Sequence, residues 1–172
     1  MKEKRIAIIG AGIGGMTAAV ALANKGIDVS VFEQAPELSE VGAGITITPN
    51  ATKGLIHLGL DEEIKKVGMA HTQQGVRHFK TGDMIVPLER GEKMLEKYGA
   101  YQLQAHRADV HNVLIDKFAF NHADSIYVDH QLTDLKEKAD TVELIFSNGQ
   151  IYEFDFVIGA DGNRSVVRKI II

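Results

Sequence analysis

Residues 4–33 read KRIAIIGAGIGGMTAAVALANKGIDVSVFE, and two readings compete for them. Ile6 to Ala23 carries no charge over 18 residues and ends on Ala21-Leu22-Ala23, the outline of an export signal with a small-residue cleavage site. Gly10, Gly12, Gly14 and Gly15 stand in its middle, where an export signal or a membrane-crossing helix wants Leu and Ile. The run also divides in two. RIAII, residues 5–9, is a short β-branched run suited to a strand buried on both faces. Ile13 to Asn24 is good helix material, and Lys25 and Gly26 close it. IDVSVFE, residues 27–33, reads as a second strand with Glu33 at its end.

Strand, Gly-x-Gly-x-x-Gly, helix, strand, acid is the pattern of a dinucleotide-binding unit. Gly10 makes the tight turn out of the strand. Gly12 lacks a side chain, so a pyrophosphate can approach the backbone. Gly15 lets the helix pack closely on the sheet, and Gly14 lies beside it in the same turn. The helix start presents N–H groups and a positive dipole end to phosphate. Glu33 follows Gly15 by 18 residues, and its carboxylate can accept hydrogen bonds from both ribose hydroxyls. An acid there also disfavours a 2′-phosphate. The alternative is a glycine-rich βαβ unit that holds no ligand.

Composition narrows the class. The 172 residues suffice for a domain with a real core, and 45% hydrophobic with 24% charged residues is ordinary for a globular protein. The formal charge of −4 offers no basic field for nucleic acid or anionic membrane. Cysteine is absent, which excludes disulfides and thiolate metal sites and fits a cytoplasmic location.

Beyond Glu33 the chain does not run straight into another βα unit. EVGAGITITPN brings a second glycine cluster at Gly42 and Gly44, and Thr48-Pro49 has the form of an N-cap followed by proline at the first helical position. Ala51, Leu55 and Leu58 share a helical face that Gly59 ends, and Asp61 is expected to cap a following helix. Residues 73–104 read as irregular β structure: GVRHFK, a turn at Thr81-Gly82-Asp83, MIVPL, then AYQLQ. Arg107 to Phe120 is amphipathic, with Val110, Val113, Leu114, Lys117 and Phe118 on one side. SIYV, residues 125–128, suits a third parallel strand. QLTDLKE, TVELIF and IYEFD suit a three-stranded meander, with a two-residue turn at Asn148-Gly149. FVIG, residues 156–159, then suits a fourth parallel strand.

That last strand runs into GADGNRSVVRK. Asp161-Gly162 falls at a strand's carboxyl end, where open α/β sheets bind ligands; alone it would be a plain turn. No G-x-S-x-G is present, and no conventional catalytic residue stands out. The seven histidines, at 57, 71, 78, 106, 111, 122 and 130, lack metal-ligand spacing and are expected at the surface or in turns, so no metal site is expected.

Four segments together resemble the N-terminal part of the flavin-dependent aromatic-ring monooxygenases of the p-hydroxybenzoate and salicylate hydroxylase type. They are IIGAGIGGMTAAVALANKGIDVSVFEQ, VGAGITITPNATKGLIHLGL, HRADVHNVL and FDFVIGADGNRSVVRK, in the family's order across nearly the whole chain. The resemblance implies FAD. Gly10, Gly12, Gly14 and Gly15 would form the pyrophosphate turn and Glu33 would bind the adenosine ribose. Ala43 and Gly44 would pass their backbone by the flavin side. Arg107 would reach the phosphate or ribityl region, where a guanidinium offers a forked donor. Val128 would present backbone to the adenine, and Asp161 with Gly162 would lie near the ribityl and pyrophosphate. The implied reaction reduces FAD with NADH or NADPH and inserts oxygen from O2 into a small aromatic substrate; the hard chemistry is the cofactor's.

The implied fold is α/β, a Rossmann-like FAD-binding βαβ sheet with a three-stranded meander crossover and part of a smaller β-rich substrate domain. Residues 1–72 and 105–172 would form the discontinuous FAD-binding domain, and 73–104 a partial substrate-domain segment. Family members run to roughly twice this length, beyond the one-domain expectation for such a chain. The second flavin fingerprint, Gly-Asp followed by Ala and His, is missing from VVRKIII onward, so the C-terminal half is expected to be absent and the chain alone is not expected to turn over. Self-association or a second chain supplying that half is a further expectation, against which a clean monomer in light scattering would count. A non-catalytic nucleotide-binding module is the competing reading.

Overall fold

The computed structural model describes residues 4–39, 42–71, 74–88 and 90–172. Glu40 and Val41, which open the second glycine segment, and the expected boundary at 72/73 lie outside the described residues. In chain order the first elements are β1 (Arg5–Ile9), α1 (Ile13–Ala23), β2 (Asp28–Phe32), β3 (Gly44–Ile47), α2 (Pro49–His57), α3 (Asp61–Val67), β4 (Gly68–Ala70), β5 (Gln74–Arg77) and β6 (Met84–Leu88). There follow α4 (Glu92–Tyr98), β7 (Leu103–His106), α5 (Arg107–His122), β8 (Ile126–Tyr127), β9 (Leu132–Glu137), β10 (Val142–Phe146), β11 (Ile151–Phe154), β12 (Phe156–Gly159) and α6 (Val166–Ile171). The chain divides into two compact units, residues 1–40 with 114–172, and residues 41–113.

The first unit is built on a parallel sheet in the order β12-β1-β2-β8. β1 sits inside it, so Ala7, Ile8 and Ile9 are buried, as an uninterrupted apolar run requires. In-register pairs Ile9↔Phe32 and Ile9↔Gly159 bring the carboxyl ends of β1, β2 and β12 level. α1 buries Gly15, Met16, Ala19 and Val20, one stripe at helical spacing, and packs on β1 and β2. An antiparallel sheet in the order β11-β10-β9 supplies Leu132, Leu144, Phe146 and Phe154 to a cluster with Ala7, Ile9 and Phe32. Phe32 is the centre of that cluster: its ring centroid lies 4.9 Å from Tyr127 and 4.8 Å from Phe146. The turn between β10 and β11 falls at Asn148-Gly149, with Gly149 at φ +81°.

The second unit carries an antiparallel sheet in the order β3-β7-β4. Ile47 and Leu103 are partners in it, and both are buried. Leu55, Leu60 and Ile64 are buried along α2 and α3. Two expectations change here, at α4 and at the start of α3. Residues 92–98, read as irregular β structure, form α4; Glu92, Lys93, Leu95, Glu96 and Lys97 are strong helix formers, and Gly99 closes the helix at φ +71°. Thr48 is the N-cap residue of α2 with Pro49 at its first position, as the sequence implies, and its hydroxyl donates to Asn50 Oδ1 at 2.6 Å without accepting from the helix backbone. Asp61 does not cap α3; Leu60 holds that position, and Asp61 pairs with Lys65 one turn on at 2.7 Å.

The Phe32 cluster joins the two sheets of the first unit, and its loss should be felt throughout that unit. Phe32→Ala is expected to destabilise by about 3–5 kcal/mol, a large share of the roughly 5–15 kcal/mol that holds an ordinary domain folded. Urea unfolding followed by far-UV circular dichroism would measure it.

Candidate cofactor site

Three strand ends meet at one edge of the parallel sheet. Gly10 leaves β1 at φ +103°, a conformation that side chains disfavour. Its N–H donates to Phe32 O at 2.7 Å, while Ala160 N–H donates to Ile9 O at 2.8 Å. A Cβ at Gly10 would stand 2.5 Å from Ala160 O, and a Cβ at Gly15 would stand 1.9 Å from Gly10 O. Both contacts are too close for any side chain, so these two glycines are fixed by backbone crossing backbone. Gly12 and Gly14 are different: a Cβ at either meets nothing within 4 Å. Gly12 is the N-cap of α1, and the first-turn N–H groups behind it belong to Ile13, Gly14 and Gly15, which a helix cannot satisfy internally.

Glu33 braces this turn from the end of β2. Its Oε2 accepts from Ala11 N–H at 2.8 Å and its Oε1 from Ala35 N–H at 3.0 Å. From the end of β12, the Asp161 carboxylate organises the start of α6. Oδ1 accepts from the Ser165 hydroxyl at 2.5 Å, and Oδ2 accepts from Val166 N–H at 2.6 Å and Val167 N–H at 3.1 Å. Ser165 completes the cap by accepting from Arg168 N–H at 2.9 Å. Burial pushes the Asp161 carboxyl up, but the Ser165 hydroxyl and the Val167 and Val166 N–H groups outweigh it and hold it below its ordinary value. The segment is therefore a helix-capping loop and more than a plain Asp-Gly turn.

A cleft of about 200 Å³ opens among these ends. It brings together Gly10, Gly12, Glu33, Asp161 and Gly162 of the expected residues. Ala43, Gly44 and Arg107 fall in the second unit, where Arg107 N–H donates to Ala43 O at 2.9 Å and Gly44 pairs with His106. Val128 follows β8 and does not line the cleft; its carbonyl lies 2.6 Å from His130 Nδ1.

His130 itself was expected at the surface or in a turn, and so was His111, but both are buried. His130 lines the cleft beside Gln34, and its backbone N–H donates to Glu33 O at 2.8 Å. Its ring packs among Phe32, Tyr127, Phe146 and Tyr152. The signal available in sequence was position: His130 lies just past the third parallel strand, at the ligand edge of such a sheet.

The residues fit a pyrophosphate-bearing cofactor: a turn without side chains, first-turn N–H groups and an open approach at Gly12. Comparison with known proteins agrees. The chain matches the FAD binding domain family over residues 3–171 and belongs to that family. It is 36% identical over 169 residues to 6-hydroxynicotinate 3-monooxygenase of Pseudomonas fluorescens, covering 98% of this chain and 43% of that protein. It is 36% identical to 3-amino-4-hydroxybenzoate 2-monooxygenase of Streptomyces cremeus, covering 99% of this chain and 43% of that one. The fold superimposes on the crystal structure of Klebsiella pneumoniae HpxO complexed with FAD and uric acid with a TM-score of 0.87 at 30% identity, over 97% of this chain and 41% of that one. The chain thus spans about two-fifths of the length of these relatives. Among the described residues no helix is long and apolar enough to cross a membrane, and no cluster of His, Asp and Glu could hold a metal ion.

Asp161 links stability to pH. Its carboxyl is held below the ordinary 3.8, so its contribution is full above that value and fades as pH falls through the lowered folded-state value. Asp161→Ala should destabilise by about 1 kcal/mol at pH 7, and the gap from the parent should shrink toward pH 2. Urea midpoints at the two pH values give the measurement.

Proposed function

We propose that this chain is the FAD-binding part of a flavin-dependent monooxygenase that hydroxylates a small aromatic substrate with NADH or NADPH and O2. The observation that carries the reading is the difference among the glycines. Backbone contacts account for Gly10 and Gly15, but nothing in the protein requires Gly12 to lack a side chain. A ligand that must reach the α1 N–H groups past Gly12 does require it.

In this reading the pyrophosphate lies over the turn of Gly10, Gly12, Gly14 and Gly15. Glu33 takes the ribose hydroxyls on the acceptor capacity left beside its two backbone bonds. Ala43, Gly44 and Arg107 serve the flavin and phosphate side; the Arg107–Ala43 backbone bond keeps that loop and the arginine together. Val128 presents backbone to the adenine, with its carbonyl oriented by His130. Asp161 fixes the course of Gly162 past the ribityl chain. Bound FAD supplies the redox chemistry: accepting hydride from the nicotinamide and activating O2 for transfer of one oxygen atom to the ring.

The antiparallel β9–β11 sheet is then the meander crossover between the third and fourth parallel strands. Residues 1–72 and 105–172 form the cofactor domain, and 73–104 part of a substrate domain. The β5–β6 hairpin supports that division, since it exposes Phe79, Ile85 and Val86, side chains suited to an aromatic pocket or to a joint with further chain. A cytoplasmic location goes with this chemistry, which draws on NADH or NADPH.

Flavin fluorescence during titration of FAD tests the reading. Saturable quenching is expected for the parent chain, and Gly12→Val and Glu33→Ala should each weaken it by about tenfold or more, which is about 1.4 kcal/mol. Gly12→Val should change folding stability by less than about 1 kcal/mol, because it exchanges only a capping preference. Gly10→Ala should instead fail through folding, since its Cβ collides with Ala160 O. A folded parent that quenches no flavin would overturn the reading for this chain.

A further inference from the structure

We propose that His130 is a positioning residue for the adenosine end of the cofactor: its ring fixes the bend at residues 128–130, and with it the backbone beside Glu33, before the ligand arrives. The proposal rests on the reading of that cleft as an FAD site. His130 is 8% exposed. Its ring lies among those of Phe32, Tyr127, Phe146 and Tyr152, with the nearest centroid, that of Phe146, at 5.2 Å. A phenylalanine would fill that place without burying a polar atom. A buried imidazole is unfavourable unless its nitrogens are hydrogen-bonded, so the partners of those nitrogens say what the residue is for.

Nδ1 lies 2.6 Å from Val128 O. A carbonyl oxygen only accepts, so Nδ1 carries the proton. Nε2 faces the turn between β10 and β11, 3.1 Å from Gln150 Oε1 and 3.3 Å from the Tyr152 hydroxyl. The ring thus ties the segment after β8 to the antiparallel sheet. Asp129, inside the bend, has φ +55° and is the only non-glycine among the described residues in the left-handed region. That conformation is uncommon for a residue with a Cβ and persists where the surroundings over-determine it. Here the backbone on both sides is held. Asp129 N–H donates to Ala35 O at 2.9 Å, and His130 N–H donates to Glu33 O at 2.8 Å. Asn148 Nδ2 donates to Asp129 O at 3.0 Å. Ala35 N–H in turn donates to Glu33 Oε1 at 3.0 Å. The bend and the Glu33 carboxylate are therefore one hydrogen-bonded unit, and His130 lines the cleft together with Glu33. An edge ordered in this way loses little freedom when a ligand settles on it.

The test is calorimetric titration of the 172-residue chain with ADP, which carries adenosine and phosphates, and with inorganic pyrophosphate, which lacks the adenosine, beside urea midpoints for the same samples. His130→Phe keeps the packing and removes both nitrogens. His130→Asn gives up the packing but sets an amide N–H toward Val128 O in place of Nδ1–H. ADP affinity is expected to fall about tenfold or more in His130→Phe and to stay within about threefold of the parent in His130→Asn. Stability should run the other way, with His130→Asn the less stable. A residue that serves packing alone would give the same order in both measurements. Pyrophosphate binding should match the parent in both variants, and imidazole nitrogen NMR shifts of the parent should place the proton on Nδ1. ADP affinity that follows stability across the two variants, a loss of pyrophosphate binding equal to that of ADP, or a proton on Nε2 alone would each overturn the proposal, while ADP binding by the parent leaves the cofactor reading standing. A folded parent that binds neither ADP nor FAD overturns that reading, and this proposal with it.

Discussion

The fold of the first unit depends on one place where backbone touches backbone. At the end of β1 the chain must turn under α1 and beside β12 at once, and a side chain at Gly10 or Gly15 would come closer to a carbonyl oxygen than van der Waals contact allows. Because the two positions are bare, the start of α1 settles directly over the strand ends. The hydrogen bonds from Gly10 to Phe32 and from Ala160 to Ile9 then bind three strands into one edge. Everything placed at that edge inherits the arrangement: Glu33 reaches back to Ala11, and Asp161 reaches forward to α6. The cleft is what remains when these three ends are packed as tightly as backbone allows.

The same edge explains why an aromatic cluster lies behind it. Phe32 ends β2 immediately before Glu33, so the residue at the centre of the inter-sheet core and the carboxylate that braces the glycine turn are neighbours in sequence, and both line the cleft. His130 lines it too and packs on Phe32. Core packing therefore holds the ligand-facing atoms in place, and disorder in the cluster would be transmitted to Glu33 through its bonds with Tyr127 and His130.

Much of this is legible in the sequence. The β1–α1–β2 unit announces itself because three independent signals agree: an apolar run without alternation, glycines at the right spacing, and an acid at the second strand's end. The strands around Asn148-Gly149 and the strand 156–159 follow from turn chemistry and β-branched runs. What is hidden lies where local signals compete. The helix at 92–98 has strong helix formers and a closing Gly99, but it is short and lies between strand-like segments. The start of α3 is ambiguous in sequence because Asp is both a good N-cap and a good first-turn residue, and the dipole favours it at either place. The burial of His111 and His130 is decided by tertiary neighbours far off in the chain, which one sequence does not reveal.

The two acids at the cleft differ in what the fold leaves to them. An ionised carboxylate has about four acceptor sites. Glu33 commits two, one on each oxygen, to Ala11 and Ala35, so each oxygen retains capacity on its outer side. Asp161 commits three, with Oδ2 taking two backbone N–H groups and Oδ1 the Ser165 hydroxyl. A ligand could engage Glu33 without dismantling the glycine turn, whereas engaging Asp161 fully would undo the cap of α6. Two carboxylates at the same sheet edge thus do different work in the fold: Glu33 braces the glycine turn and keeps acceptor capacity on both oxygens, and Asp161 spends its capacity on the cap of α6.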